Sequence, residues 1–171
     1  MNLRTLNSTK KGMLLSFMLI SVALFCFYAL KMPHNGSSQY IIFFVFIAGL
    51  LLGIFQFRQQ NQEADFKQLF GEGFKIFVVV AFFMVLYSWI FYKYNTQILE
   101  VYLKFNEQLI IKQGNKTKPE IEENTKKLRQ IFIPMTLAVI TIIYLLLGTL
   151  VTAVASGLWG KKQFKQVKTY I

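Results

Sequence analysis

The sequence predicts an all-α membrane protein: four transmembrane helices, with an amphipathic helical excursion between the third and the fourth. Three observations carry that reading. Residues 12–30, 40–57, 76–92 and 131–159 are apolar runs with no charged residue inside them. At ~1.5 Å rise per residue, about 20 such residues cross the ~30 Å hydrocarbon core of a bilayer. The composition agrees, at 54% hydrophobic and 16% charged, where a soluble domain averages about 25% charged. Between the third and fourth runs lies the longest polar stretch, residues 93–130, in which Ile98, Val101, Tyr102, Phe105 and Leu109 recur with a helical period. The 171 residues are expected to form one four-helix transmembrane domain spanning 1–171.

Residues 1–11 are short, polar and basic, with Arg4, Lys10 and Lys11. A basic segment followed by an apolar run also describes a cleaved signal peptide. The run at 12–30 is long for that role, and it ends in FYALKMP without a small-residue cleavage site. An uncleaved first helix is expected. KMPHNGSSQ follows as a turn: Pro33 ends the helix, and Asn35-Gly36 supplies the positive φ of a tight reversal. The second span carries Gly49-x-x-x-Gly53, a spacing that lets another helix approach closely in lipid.

Residues 58–75 read as a polar elbow in which Phe66, Leu69, Phe70 and Phe74 keep helical spacing, so part of it is expected along the membrane surface. Gly71-Glu72-Gly73 lacks the third glycine and the preceding strand of a phosphate loop. Glu72 and Lys75, three residues apart, are expected to form an interfacial ion pair. Trp89, Tyr92 and Tyr94 form an aromatic belt at the end of the third span.

In the polar stretch, Gly114 is a helix stop, and Thr117-Lys118-Pro119-Glu120 reads as the next helix start, with a Thr cap and a Glu partner. That leaves Glu122 and Glu123 as helix-start residues, not an acid/base pair. The fourth span is longer than a bilayer requires, so it tilts or begins outside the core, with Pro134 near its start. Gly148, Thr152 and Ser156 fall four apart and form the broadest small-residue face, expected to be the main helix–helix contact and to meet the Gly49/Gly53 face.

Taken together, a second span ending in GIFQFRQ, an elbow reading DFKQLFGEGFK, a polar helical excursion and a closing ASGLWGKK resemble the bacterial inner-membrane family known as domain of unknown function 4199. The resemblance covers nearly the whole chain. It implies a four-helix inner-membrane protein of uncharacterised role and assigns no site residue.

Several function classes are disfavoured. G-x-S-x-G, H-E-x-x-H, C-x-x-C and the phosphate-binding P-loop motif are all absent. Cys26 is the only cysteine and His34 the only histidine. Cys26 reads as a packing residue and His34 as a loop residue. No enzyme, cofactor or metal site is expected. The net charge of +11 sits at span ends and in loops, where topology and anionic lipid headgroups account for it, so the bilayer and not nucleic acid is the expected partner. With acids, bases and histidines absent from the spans, the favoured reading is a non-catalytic scaffold or accessory subunit. It would engage a membrane protein or a second copy of itself through Val101, Tyr102, Phe105 and Leu109. The alternative is a small oligomeric transporter or channel lined by hydroxyls: Ser16, Ser21, Ser88, Thr136, Thr141, Thr149, Thr152 and Ser156. Three N-terminal cations against Lys31 alone in the first loop place the N-terminus in the cytoplasm, and four spans return the C-terminus to the same side. A multi-pass protein of the bacterial inner membrane is expected.

Overall fold

The structure, a computed structural model, describes residues 7–30, 37–114 and 117–161. The Pro33–Gly36 turn with His34, the basic residue Arg4, and the lysine-rich tail beyond Lys161 lie outside the described residues. Helix α1 runs Ser8–Leu24 and continues as a π-helical turn, Phe25–Ala29. Helix α2 is Ser37–Gln60, α3 is Phe66–Tyr94, α4 is Thr96–Gln113 and α5 is Lys118–Trp159. No strand occurs among the described residues. Four segments, Ser8–Ala29, Gln39–Gln60, Phe66–Tyr94 and Lys118–Trp159, are long and apolar enough to cross a membrane. The chain is an all-α membrane protein, and a multi-pass one.

Local sequence sets most helix ends. Asp65 and Gln68 form a reciprocal cap on α3: the Gln68 N–H donates to Asp65 Oδ1 at 2.8 Å, and the Asp65 N–H donates to Gln68 Oε1 at 3.2 Å. Helix α3 therefore starts at Phe66. The broad elbow expected over 58–75 shrinks to the few residues between Gln60 and Phe66. The Phe66, Phe70 and Phe74 rings stack along the opening turns of α3, with centroids 5.8 and 6.4 Å apart, and Leu69 is fully buried. These residues open a spanning helix instead of forming a separate one along the surface. Asn95 ends α3, its side-chain N–H donating to the Phe91 carbonyl at 2.9 Å. Gly114 stops α4 at φ 68°, a left-handed conformation glycine adopts without a Cβ penalty. Thr117 donates from both its backbone N–H and its hydroxyl to Glu120 Oε2, opening α5. Pro134 sits well inside α5, which is one continuous helix from Lys118, and so removes one backbone donor from its ladder.

The described residues fall into two compact units, Met1–Phe83 with Tyr144–Ile171, and Met84–Ile143. In the first, Leu19, Phe46, Leu50, Ile54, Phe77 and Val80 are buried to within 2% of full enclosure, and Tyr144 meets the Phe46 ring edge-on at 5.1 Å. Cys26 is buried there as a free thiol. In the second, Leu103, Ile121 and Phe132 are buried, and Phe132 takes the rings of Tyr92 at 5.6 Å and Tyr102 at 5.2 Å. There α4 and the first half of α5 form an antiparallel hairpin. Arg129 closes it with two donors on the Glu100 carboxylate, Nη2 to Oε2 at 2.9 Å.

Candidate functional site

The chemistry of the first unit collects at the end where α1 begins, α2 ends, α3 begins and α5 ends. Arg58 Nε donates to the Trp159 carbonyl at 2.8 Å, and the Lys161 N–H donates to the Ala64 carbonyl at 3.1 Å. The Lys161 ammonium also pairs with Glu63. Inside this lashing lies a buried ion pair. Lys11 Nζ is 3.1 Å from Glu72 Oε1 and donates at 3.4 Å to the Gly53 carbonyl, while the Ser8 hydroxyl donates to Glu72 Oε2. The side chains of Lys11 and Glu72 are only 9% and 7% exposed.

Each member is positioned by the fold. Ser8 and Lys11 lie on one face of the first turn of α1, three residues apart. Gly12 brings α1 against α3: a Cβ there would stand 2.9 Å from both the Ile76 carbonyl and the Val79 Cβ. That approach drops the Lys11 ammonium onto Glu72, in the second turn of α3. Gly53 leaves its carbonyl accessible on α2. Ionised groups in a low-dielectric interior persist only when paired and hydrogen-bonded, and here both are.

This arrangement corrects two expectations. Glu72 pairs with Lys11, across the unit, and not with Lys75 one turn along its own helix. The membrane-crossing helices also carry charge: Lys11 lies within Ser8–Ala29 and Glu72 within Phe66–Tyr94. The Phe66, Phe70 and Phe74 stripe was the available signal, because a helix opening at Phe66 already encloses Glu72. The partner 61 positions away left no trace in local spacing.

The residues expected to pack do so against different neighbours. A Cβ at Gly49 would meet Leu15 of α1 at 2.3 Å, and one at Gly53 would meet Ile76 of α3 at 2.7 Å. At Gly148 it would lie 2.6 Å from Phe77 of α3. Thr152 faces Gly73 of α3, where a Cβ would stand 2.5 Å from its methyl group. The small-residue face of α5 thus seats α3, while Gly49 seats α1 and Gly53 seats α3. Thr152 and Ser156 are fully buried, and their hydroxyls have no hydrogen-bond partner among the described residues. Other span hydroxyls are absorbed by their own helices: Ser16 donates to Gly12, Ser21 to Phe17 and Thr141 to Leu137, each onto the carbonyl one turn back.

In the second unit, Val101, Phe105 and Leu109 form an exposed stripe on α4, at 69%, 59% and 44% exposure. Tyr102 is separated from them. It turns toward Phe132 on the packed side of the hairpin, beside the buried Leu103. Among the described residues, no three metal-ligating side chains come together.

No curated protein and no solved structure matches the chain. The family described as "Protein of unknown function (DUF4199)" matches residues 13–162, the greater part of the sequence, and the chain belongs to that family.

Proposed function

We propose that this protein is a non-catalytic membrane subunit, a scaffold or accessory component of a bacterial inner-membrane assembly, that engages a protein partner through α4. The carrying observation is the Val101/Phe105/Leu109 stripe. It lies on a helix whose opposite side already packs on α5, and that helix is too charged to enter the bilayer, with Glu100, Lys104, Glu107 and Lys112. A regular apolar stripe on such a helix calls for a covering surface. A photo-crosslinker at Phe105 in native membranes is expected to trap one discrete membrane-protein partner. Phe105→Asp with Leu109→Asp is expected to abolish that product while the protein still inserts and keeps its helicity. Loss of folding in that double variant would mark the stripe as internal packing and end this reading. We read both termini as cytoplasmic from the three N-terminal cations against Lys31 alone in the first loop. Alkaline phosphatase fused after Ile171 is therefore expected to be inactive, and strong activity would reverse the topology.

A small oligomeric transporter or channel is the second reading, favoured by the Lys11–Glu72 pair, since ionisable groups within spanning helices commonly mark ion or substrate paths. Flux in proteoliposomes that Glu72→Gln abolishes would establish it over the scaffold. Absence of flux for protons, monovalent cations and anions would remove it.

A further inference from the structure

A cleft of about 220 Å³ lies between α1 and α2. Lys11, Leu14, Leu15 and Met18 form one wall, and Gly49, Leu52, Gly53 and Gln56 the other. Its two ends differ chemically. Lys11 and Gln56, the two lining residues with side-chain nitrogen donors, stand at the end where α1 begins and α2 finishes. The remainder is aliphatic, and its rim is open: Leu14, Met18 and Leu52 are 44%, 47% and 59% exposed. In a membrane-crossing helix pair, such a rim faces lipid tails.

The ammonium of Lys11 has three donors. Among the described residues it finds two acceptors, Glu72 Oε1 and the Gly53 carbonyl. A donor on a side chain nine-tenths buried is thus left over at the wall of this cleft. Glu72 neutralises the cation from behind and does not line the cleft, so an occupant meets the ammonium and not the carboxylate. Volume limits the occupant further. Pockets for compact drug-sized molecules begin at ~300 Å³, so this smaller, aliphatic space suits part of a hydrocarbon chain whose remainder lies along the open rim. A donor-rich polar end joined to a small aliphatic trough, at the end of a spanning helix, matches one kind of molecule.

We propose that this cleft seats one acyl chain of an anionic phospholipid, with a headgroup phosphate oxygen accepting the third hydrogen bond of Lys11. Lys11 thereby joins the lipid to the same carboxylate that ties α1 to α3. Gln56 supplies a second donor to the headgroup.

The test uses the full chain, purified in detergent and read by native mass spectrometry and by thermal shift. The probes are phosphatidylglycerol, phosphatidylcholine and inorganic phosphate. One phosphatidylglycerol per chain is expected, bound about tenfold more tightly than phosphatidylcholine: both offer the phosphate oxygen, but the choline cation of the latter is repelled by the Lys11 ammonium and has no donor or acceptor for Gln56. Inorganic phosphate alone is expected to give no shift, because the aliphatic trough supplies much of the attachment. Leu52→Trp, at an exposed rim position, fills the trough and leaves the ion pair intact, so it is expected to abolish the bound lipid. Lys11→Met with Glu72→Leu keeps the pair neutral, and it is expected to retain lipid without preference between headgroups. Equal binding of the two phospholipids by the wild type, unchanged lipid binding in Leu52→Trp, or a shift with inorganic phosphate equal to that with phosphatidylglycerol would each overturn the proposal.

Discussion

Lys11–Glu72 and Arg129–Glu100 are both cation–carboxylate pairs joining helices, and their environments reverse what their geometry suggests. Arg129–Glu100 has the better fit, a two-donor fork on one carboxylate, yet its side chains are 50% and 45% exposed. Lys11–Glu72 makes a single contact at 3.1 Å, and its side chains are 9% and 7% exposed. Water and salt compete for the first pair and hardly reach the second. Removing one partner on the surface leaves a charge that water solvates. Removing one inside leaves a charge with nowhere to go.

The largest test of this contrast is Glu72→Leu. It strands the Lys11 ammonium and is expected to cost about 3 kcal/mol or more, seen as a marked fall in the melting temperature in detergent. Lys11→Met added to Glu72→Leu is expected to recover most of the loss, because two apolar side chains of similar size replace the buried pair. A double variant no better than Glu72→Leu would show that the pair's charge, and not its burial, supports the unit. A close approach without charge gives a middle-sized effect. Gly148→Leu drives a side chain into Phe77 and is expected to destabilise by about 1–3 kcal/mol. Leu146→Ala, at a residue 61% exposed, serves as the neutral control. If the control falls as far as Gly148→Leu, the assignment of the α5 faces is wrong.

The smallest effect belongs to the exposed pair. The hydrogen bond from the Arg129 guanidinium holds the Glu100 carboxyl below its ordinary value. A carboxyl with a depressed folded pKa contributes stability above its unfolded pKa and loses it as the pH falls through the folded one. The hairpin is therefore expected to hold steady from neutral pH down to the ordinary glutamate range and to weaken below it. Glu100→Gln is expected to flatten that acid limb in a melting series. Raising salt to ~1 M, where the Debye length is about 3 Å, is expected to mimic Glu100→Gln and to leave the Glu72→Leu deficit unchanged. A salt response at Glu72 equal to that at Glu100 would erase the distinction between the pairs.

Much of the chain was legible from local chemistry. Apolar runs of spanning length, the period of α4, the Gly114 stop and the Thr117–Glu120 start each depend on residues within a few positions of one another, and each appears in the structure. The α3 start was equally local, in the Asp65/Gln68 cap, but the polar look of FKQLFGEGFK hid it behind an expected elbow. Small-residue spacing marked Gly49, Gly148 and Thr152 as close-approach positions, but the expectation that the two glycine-bearing faces meet each other was wrong. A helix pattern fixes which face is thin, whereas the packing of whole helices fixes the neighbour, here Leu15, Phe77 and Gly73. The same limit explains the stripe on α4: periodicity grouped Tyr102 with Val101, Phe105 and Leu109, and only the seating of α5 drew Tyr102 onto Phe132. It also explains the central miss. By sequence alone Glu72 has Lys75 one turn away and Lys11 far off in the chain. Only the approach of α1 to α3 at Gly12 removes Glu72 and Lys11 from water together, and burial turns two ordinary interfacial charges into a pair that neither can leave.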